Sequence, residues 1–464
     1  MKLSNYNLIV SDKNSEDYYL FNTFIGSCFK INNITAEAIK NNCIEDINEE
    51  TKELFEMSGI IIPDKMNESN IFSYLREKEK YNSDFLSVTL LLTWNCNLRC
   101  IYCFQEHEVI LGDMDENQAN RFLSFIVNTA INNKAKGIHI TLFGGEPLMN
   151  MKIGYEILHI IKDFCEKNKL QFSCGLITNG TLINNETLEK MYSHNCKMIQ
   201  ITLDGVKKIH DTRRIYSNGK GSFEETITAL QLLNMKNTIH TVIRINIDKR
   251  NVDDLYDLLY QIGKDGLNLT KCTVDFGIVR AETKACAGYS SNCFIESEIG
   301  DIIYDLWNYA EKQGFKYNIK PIRRYLYCGL YGNNQYTIAP NCDVFKCWEH
   351  VGQEEHLMGK LDEYGRIMQP TNSFYEWMSV DPLKNIECKN CIYLPNCGGG
   401  CGVISFNESG TYHAKGCFRV KGTVEKQVLK FVENSIKASM DEVNEKNSCS
   451  DCKKGSNSNG KKEK

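Results

Sequence analysis

From Phe85 to about residue 285 the chain alternates between apolar runs of β character and stretches whose apolar residues recur with helical period. The β-type runs read FLSVTLLLT, GIHITLFGG, QFSCGLITNG, KMIQITLDG, HTVIRINID and KCTVDFGIV. Between them lie amphipathic segments such as ENQANRFLSFIVNTAINN, YEILHIIKDFCEKN and FEETITALQLLNMKN. Near-continuous apolar strands alternating with helices predict an α/β fold, a parallel sheet covered by helices. Six such units fit a partial (β/α)6 TIM-like barrel over residues 86–285 better than a complete eightfold one. Polar and glycine-rich residues collect where these strands end, at FGGEP, TNG and LDG. In parallel α/β folds that edge holds the ligand site.

The flanks have other rhythms. Residues 1–80 read as a small domain: YNLIV, YYLFN and SCFKIN as short strands, TAEAIKNNC as a helix capped by Thr35, NEETKELFEMSG as a helix ending at Gly59, and GIIIPD as a closing strand. The charged stretch YLREKEKYN is expected to bridge to the next domain. Residues 286–446 begin with a bridging helix, IGDIIYDLWNYAEKQG, continue through a cysteine-rich part at 321–417, and end in a closing helix from 418 to 446. The last segment, 447–464, is too polar to build a core and is expected to be disordered.

Composition narrows the function. A net charge of −5 over 464 residues gives no general attraction to nucleic acid or anionic lipid. The amino terminus lacks the apolar core of a signal peptide, and no apolar stretch is long enough to span a bilayer, so a cytoplasmic location is expected. Cysteine stands out, with 21 residues. In a reducing compartment thiols stay reduced, and clustering points to metal. Three groups form, 96/100/103, 328/342/347 and 388/391/397/401/417, with Cys449 and Cys452 in the tail and the remaining eight scattered as small buried hydrophobes.

Cys96, Cys100 and Cys103 stand in NCNLRCIYCFQ, just after the first strand. Three thiolates this close suit a four-iron, four-sulfur cluster with one iron left open. The alternative is a zinc site completed by a distant ligand such as His107. C-x-x-x-C-x-x-C with Tyr102 before the last cysteine resembles the signature of radical S-adenosylmethionine (SAM) enzymes. The resemblance extends over residues 86–285, through GGEP (144–147), TNG (178–180), TLDG (202–205), HDTRR (210–214), GKGSFEET (219–226) and RINID (244–248). It implies that the triad carries a 4Fe–4S cluster whose open iron chelates the methionine moiety of SAM. It further implies that Gly144, Gly145 and Glu146 hold the methionine ammonium, and that Asn179, Arg214 and Arg244 bind the rest of the cofactor.

The spacing Cys388-x2-Cys391-x5-Cys397-x3-Cys401-x15-Cys417, preceded by Cys328 and Cys347, resembles the SPASM domain of one branch of this family. The resemblance implies two auxiliary 4Fe–4S clusters, three clusters in all. One is held by Cys388, Cys391, Cys397 and Cys417, the other by Cys328, Cys347, Cys401 and one further ligand. Cys342 stands where the family pattern has glycine and is the expected eighth thiolate; the alternative is a turn cysteine that points away.

Enzymes of this branch act mostly on peptides or proteins. The first reading is a maturase that joins cysteine sulfur to carbon in a ribosomally made precursor peptide. Residues 1–80, of loosely winged-helix-like outline, would grip the leader by strand addition, and a flavodoxin or ferredoxin would donate low-potential electrons. The second is an anaerobic sulfatase-maturating enzyme, whose relatives place an aspartate base directly after the cysteine equivalent to Cys347; here Trp348 stands there, with Asp343 in the same turn. A third, a non-catalytic iron–sulfur carrier, has no use for GGEP, TNG and LDG at strand ends. No catalytic residue is assigned.

Overall fold

The computed structural model describes residues 1–454 apart from 13–16, 106–110, 270 and 318, with side chains as far as Ser439 (Leu269 excepted). All six apolar runs form strands: Phe85–Thr93, Gly137–Gly144, Gln171–Thr178, Cys196–Thr202, His240–Ile247 and Cys272–Ile278. Each pairs in parallel with the next, in chain order. Helices Glu116–Asn132, Met151–Lys167, Asn185–Ser193, Phe223–Lys236 and Leu255–Lys264 return the chain between them. The first of these starts where Asp115 and Gln118 exchange side-chain and backbone hydrogen bonds, a capping box of the kind that contributes about 1 kcal/mol. In the fifth strand Thr241, Ile243, Ile245 and Ile247 are buried while Arg244 and Asn246, on the other face, are only partly so.

The cysteine-rich part does not build a sheet of its own. Gln335–Ile338 joins the free edge of the first strand in parallel, and Asp343–Phe345, Gly359–Leu361 and Ile367–Met368 follow antiparallel, giving one sheet of ten strands. The edge amides and carbonyls of Phe85–Thr93 are thereby paired rather than left open. The largest core cluster spans both parts: Leu90 and Ile140 share it with Ile338, Val344, Trp377 and Tyr412.

The amino-terminal strands fall close to expectation, at Asn7–Ser11, Tyr18–Asn22 and Cys28–Ile31, with Ile61–Ile62 pairing back to Lys2–Leu3. The first helix begins earlier than Thr35. Asn32 is its cap, its side chain accepting from Thr35 N, so Thr35 already lies inside the first turn. YLREKEKYN is no loose bridge but the end of helix Glu68–Lys80. Arg76 and Lys80 are buried there, Arg76 Nη2 donating to Val380 O at 2.6 Å and Lys80 Nζ to Met378 O. Long cationic side chains bury their stems and satisfy their heads on backbone carbonyls, which composition alone reads as solvation. Leu8, Val10, Tyr19 and Phe21 pack against Val420 and against Val424, Val428 and Leu429 of the closing helix. That helix runs Thr423–Lys454, past the expected end at 446, because no glycine or proline interrupts the chain before Gly455. Cys449 and Cys452 lie in it with side chains outside the described residues, as do residues 455–464 entirely. Among the described residues no helix is long and apolar enough to cross a membrane.

Candidate active site

The triad loop leaves the first strand and is held from below by a second element. Leu98–Cys100 pairs antiparallel with Arg214–Tyr216, placing Cys100 directly opposite Arg214. Cys103 N donates to Cys100 O at 3.1 Å, curling the loop back so that the three thiols lie within electrostatic range of one another. Burial pushes the Cys96 thiol up to about 11, Cys103 up to about 12, and Cys100 upward as well. Three thiols buried this closely ionise together only when a cationic centre takes them, the donor set of a thiolate-held cluster. Among the described residues no three His, Cys, Asp or Glu side chains converge on a single ion. Ligands of a cubane each bind a different iron and stand apart by the width of the cluster. His107, the alternative zinc ligand, lies outside the described residues.

Tyr102, between two of the cysteines, ties the loop to the ends of the fourth and fifth strands. Its hydroxyl donates to Asp204 and accepts from Arg214 Nη1 at 2.8 Å and Asn246 Nδ2 at 3.2 Å. Arg213 lies 4.9 Å from its ring centroid and pairs with Asp248 at 2.8 Å. Asp204 is fully buried and accepts from Asn246 N at 3.0 Å. Burial works against the charge on Arg214, yet the neighbouring Cys100, Tyr102 and Asp204 hold its pKa well above the ordinary guanidinium value. LDG and RINID thus contribute Asp204 and Asn246 to the loop that holds the cysteines, a role motif reading missed.

GGEP is fitted against the same loop. Gly145 N donates to Thr93 O at 2.9 Å and Glu146 N to Asn95 O at 2.8 Å. A Cβ on Gly144 (φ +137°) would stand 2.3 Å from Thr93 O, and one on Gly145 2.1 Å from Asn95 O, so both positions exclude a side chain. Glu146 is fully buried; burial raises its pKa, against the hydrogen bonds it accepts from Asn179 N (2.8 Å), Thr178 Oγ1 (2.7 Å) and Leu148 N (3.1 Å). A buried carboxylate of this kind gains from an ammonium beside it. Asn179 Nδ2 reaches Cys96 Sγ at 3.9 Å and Asn97 Oδ1 at 2.8 Å. Arg244 lies two residues before Asn246 in the fifth strand, paired with Asp275 and donating to Asn246 Oδ1 at 3.1 Å.

Seven of the later cysteines fall into two groups. Cys328, Cys347 and Cys401 neighbour one another, as do Cys388, Cys391, Cys397 and Cys417. Cys342 joins neither. It sits in a turn at φ +68°, fully buried, with its Sγ 3.5 Å from Gln118 O and Arg121, Lys360, Asp343 and Asp115 as its charged neighbours. This geometry favours the alternative, a turn cysteine that points away, over an eighth thiolate. The positive φ explains why glycine suits the position, and the same turn sends the side chain toward helix Glu116–Asn132. Asp343 pairs with Lys360 at 3.1 Å on that side. The carboxylate beside Cys347 is instead Glu349, paired with Arg280, whose Nη1 lies 3.5 Å from Cys401 Sγ. A line of aromatic rings joins the two regions: Phe104 stacks with Phe143 at 6.4 Å, and Phe143 meets Trp348 at 6.3 Å.

The family model described as the radical SAM superfamily matches residues 90–260. An uncharacterized protein of Methanocaldococcus jannaschii is 33% identical over 283 residues, 61% of this chain and 90% of that one. The chain belongs to the radical SAM superfamily, and membership implies a SAM-binding 4Fe–4S cluster and SAM. The cysteine-type anaerobic sulfatase-maturating enzyme of Clostridium novyi is 28% identical over 66% of this chain and 85% of its own length. The radical SAM cyclopropyl synthase TigE of Paramaledivibacter caminithermalis is 25% identical over 86% of this chain and 89% of its own. Streptococcus suis SuiB bound to precursor peptide SuiA shares the fold, with a TM-score of 0.53, covering 91% of this chain and 99% of that one at 16% identity.

Proposed function

We propose that this radical SAM enzyme modifies a ribosomally made precursor peptide, joining cysteine sulfur to carbon. The observation that carries the reading is extent. The fold of SuiB, bound to its precursor peptide SuiA, takes in 91% of the chain, whereas the likeness to the sulfatase-maturating enzyme of C. novyi takes in 66%. In this reading Cys96, Cys100 and Cys103 hold the cluster that SAM binds, which supplies one-electron cleavage of SAM to a 5′-deoxyadenosyl radical. Glu146 and the backbone of Gly144 and Gly145 receive the methionine ammonium, and Asn179, Arg214 and Arg244 bind the rest of the cofactor. The groups Cys328/Cys347/Cys401 and Cys388/Cys391/Cys397/Cys417 hold two auxiliary clusters of a SPASM domain, and a flavodoxin or ferredoxin supplies electrons. The leader adds to strand Cys28–Ile31, which among the described residues is paired only with Tyr18–Asn22.

Sulfatase maturation is the second reading, favoured by the C. novyi likeness. Its expected base after Cys347 is missing, and Glu349, one residue on, is engaged by Arg280. Incubation of the reconstituted enzyme with SAM, reductant and a cysteine-containing precursor encoded beside its gene tests the choice. Each thioether removes two hydrogens from the peptide and one thiol from alkylation. A formylglycine product from a sulfatase peptide, with the precursor untouched, would reverse the ranking.

A further inference from the structure

With Cys342 turned away, the group Cys328, Cys347 and Cys401 is one ligand short of a closed cubane. We infer that His350 is the fourth ligand of that cluster, an inference resting on the auxiliary-cluster reading above.

His350 is 2% exposed, and neither Nδ1 nor Nε2 has a hydrogen-bond partner. Buried polar groups in native proteins are almost always paired, and an imidazole lone pair without a donor lacks what a metal would give it. The residue lies in the 3-10 turn Trp348–His350 that Cys347 caps, His350 N donating to Cys347 O at 3.2 Å. Arg280 is a charged neighbour of His350 and also lies, through Nη1, 3.5 Å from Cys401 Sγ. The walls around His350 are those of the thiol compartment. Tyr331, within range of Cys328, Cys347 and Cys401, stacks on Trp377 at 4.7 Å, and Trp377 meets His350 edge-on at 6.1 Å. Tyr412, 6.1 Å from His350, neighbours Cys347 as well. His356 stacks on His350 at 3.7 Å and 14°, fixing the ring plane, while its own Nδ1 is occupied by the Tyr412 hydroxyl at 2.5 Å. Glu349 is taken by Arg280. His350 is the free donor. Exchanging a thiolate for a neutral imidazole removes one negative charge and makes the cluster easier to reduce, as histidine ligation does elsewhere.

The test uses the full chain with Cys96, Cys100 and Cys103 changed to alanine, reconstituted with iron and sulfide, reduced with dithionite and examined by pulsed paramagnetic resonance. The protein is prepared with ordinary and with 15N-labelled histidine. The expected result is a nitrogen coupling to a reduced cluster that changes on labelling and is lost in His350→Gln. His350→Cys should keep the cluster, lose the coupling and lower the midpoint potential. Iron retained with no histidine coupling in the labelled parent overturns the inference, whatever the variants do, and so does a coupling that survives His350→Gln. No iron retained at all overturns the auxiliary-cluster reading, and this inference with it.

Discussion

Arg214 stands directly across a two-strand ladder from Cys100 and donates through Nη1 to the Tyr102 hydroxyl at 2.8 Å. One guanidinium therefore holds the triad loop by backbone pairing on one side and by a buried side-chain network on the other. It also places a permanent positive charge beside thiolates that would carry a cluster of net negative charge.

Arg214→Met should lose the iron of the triad while the iron of the other cysteine groups stays. Breaking a buried charge network by removing one partner costs about 3–5 kcal/mol, and here Asp204 keeps Arg213 only at 3.7 Å. Chemical denaturation and iron analysis measure both effects. Full triad iron in a stable Arg214→Met protein would deny the residue this role.

Glu146→Gln separates binding from folding. The glutamine amide presents an N–H where Thr178, Asn179 and Leu148 all donate, a mismatch worth about 1–3 kcal/mol. The lost charge works the other way. Glu146 has its folded pKa raised by burial, so its contribution to stability is present below the unfolded carboxyl value of about 4.3 and is lost as pH rises through the folded pKa. The parent apoprotein should accordingly lose stability relative to Glu146→Gln across that window. SAM affinity should fall at least tenfold in the variant by equilibrium dialysis; unchanged affinity would remove Glu146 from the cofactor site.

Cys342→Gly should leave iron content and the cluster spectra untouched. The turn at φ +68° accepts glycine without strain, offsetting part of the packing lost when the buried thiol leaves Gln118 O. Thermal stability is expected to stay within about 1–2 kcal/mol of the parent. Loss of about four irons per chain would return Cys342 to the ligand set.

Deleting residues 1–80 should yield aggregation instead of a trimmed enzyme. The deletion exposes Val420, Val424 and Val428 and leaves Val380 O without Arg76. A milder version, Arg76→Met, should cost about 1–3 kcal/mol by denaturant titration with the clusters retained. A soluble, cooperatively folding deletion variant would show the two parts to be independent.

Local spacing settled much of this protein before any coordinates. Six strands alternating with helices, the Cys96/Cys100/Cys103 triad, and GGEP, TNG and LDG at successive strand ends were readable because each depends on residues a few positions apart, where backbone geometry fixes the outcome. The sorting of seven later cysteines into a three and a four was implied by the resemblance of their spacing to a known pattern. What spacing could not decide was direction and partnership at a distance. Cys342 lies five positions before Cys347 in NCDVFKC, yet its φ of +68° turns the sulfur to a carbonyl of helix Glu116–Asn132. Arg76 and Lys80 look solvated in a charged run and are buried against carbonyls some three hundred residues away. Gln335–Ile338 carries no mark that it will close the edge of Phe85–Thr93, and Glu349 none that Arg280 will take it. Burial, charge pairing and edge closure depend on the whole folded surface, so only the tertiary structure could assign them.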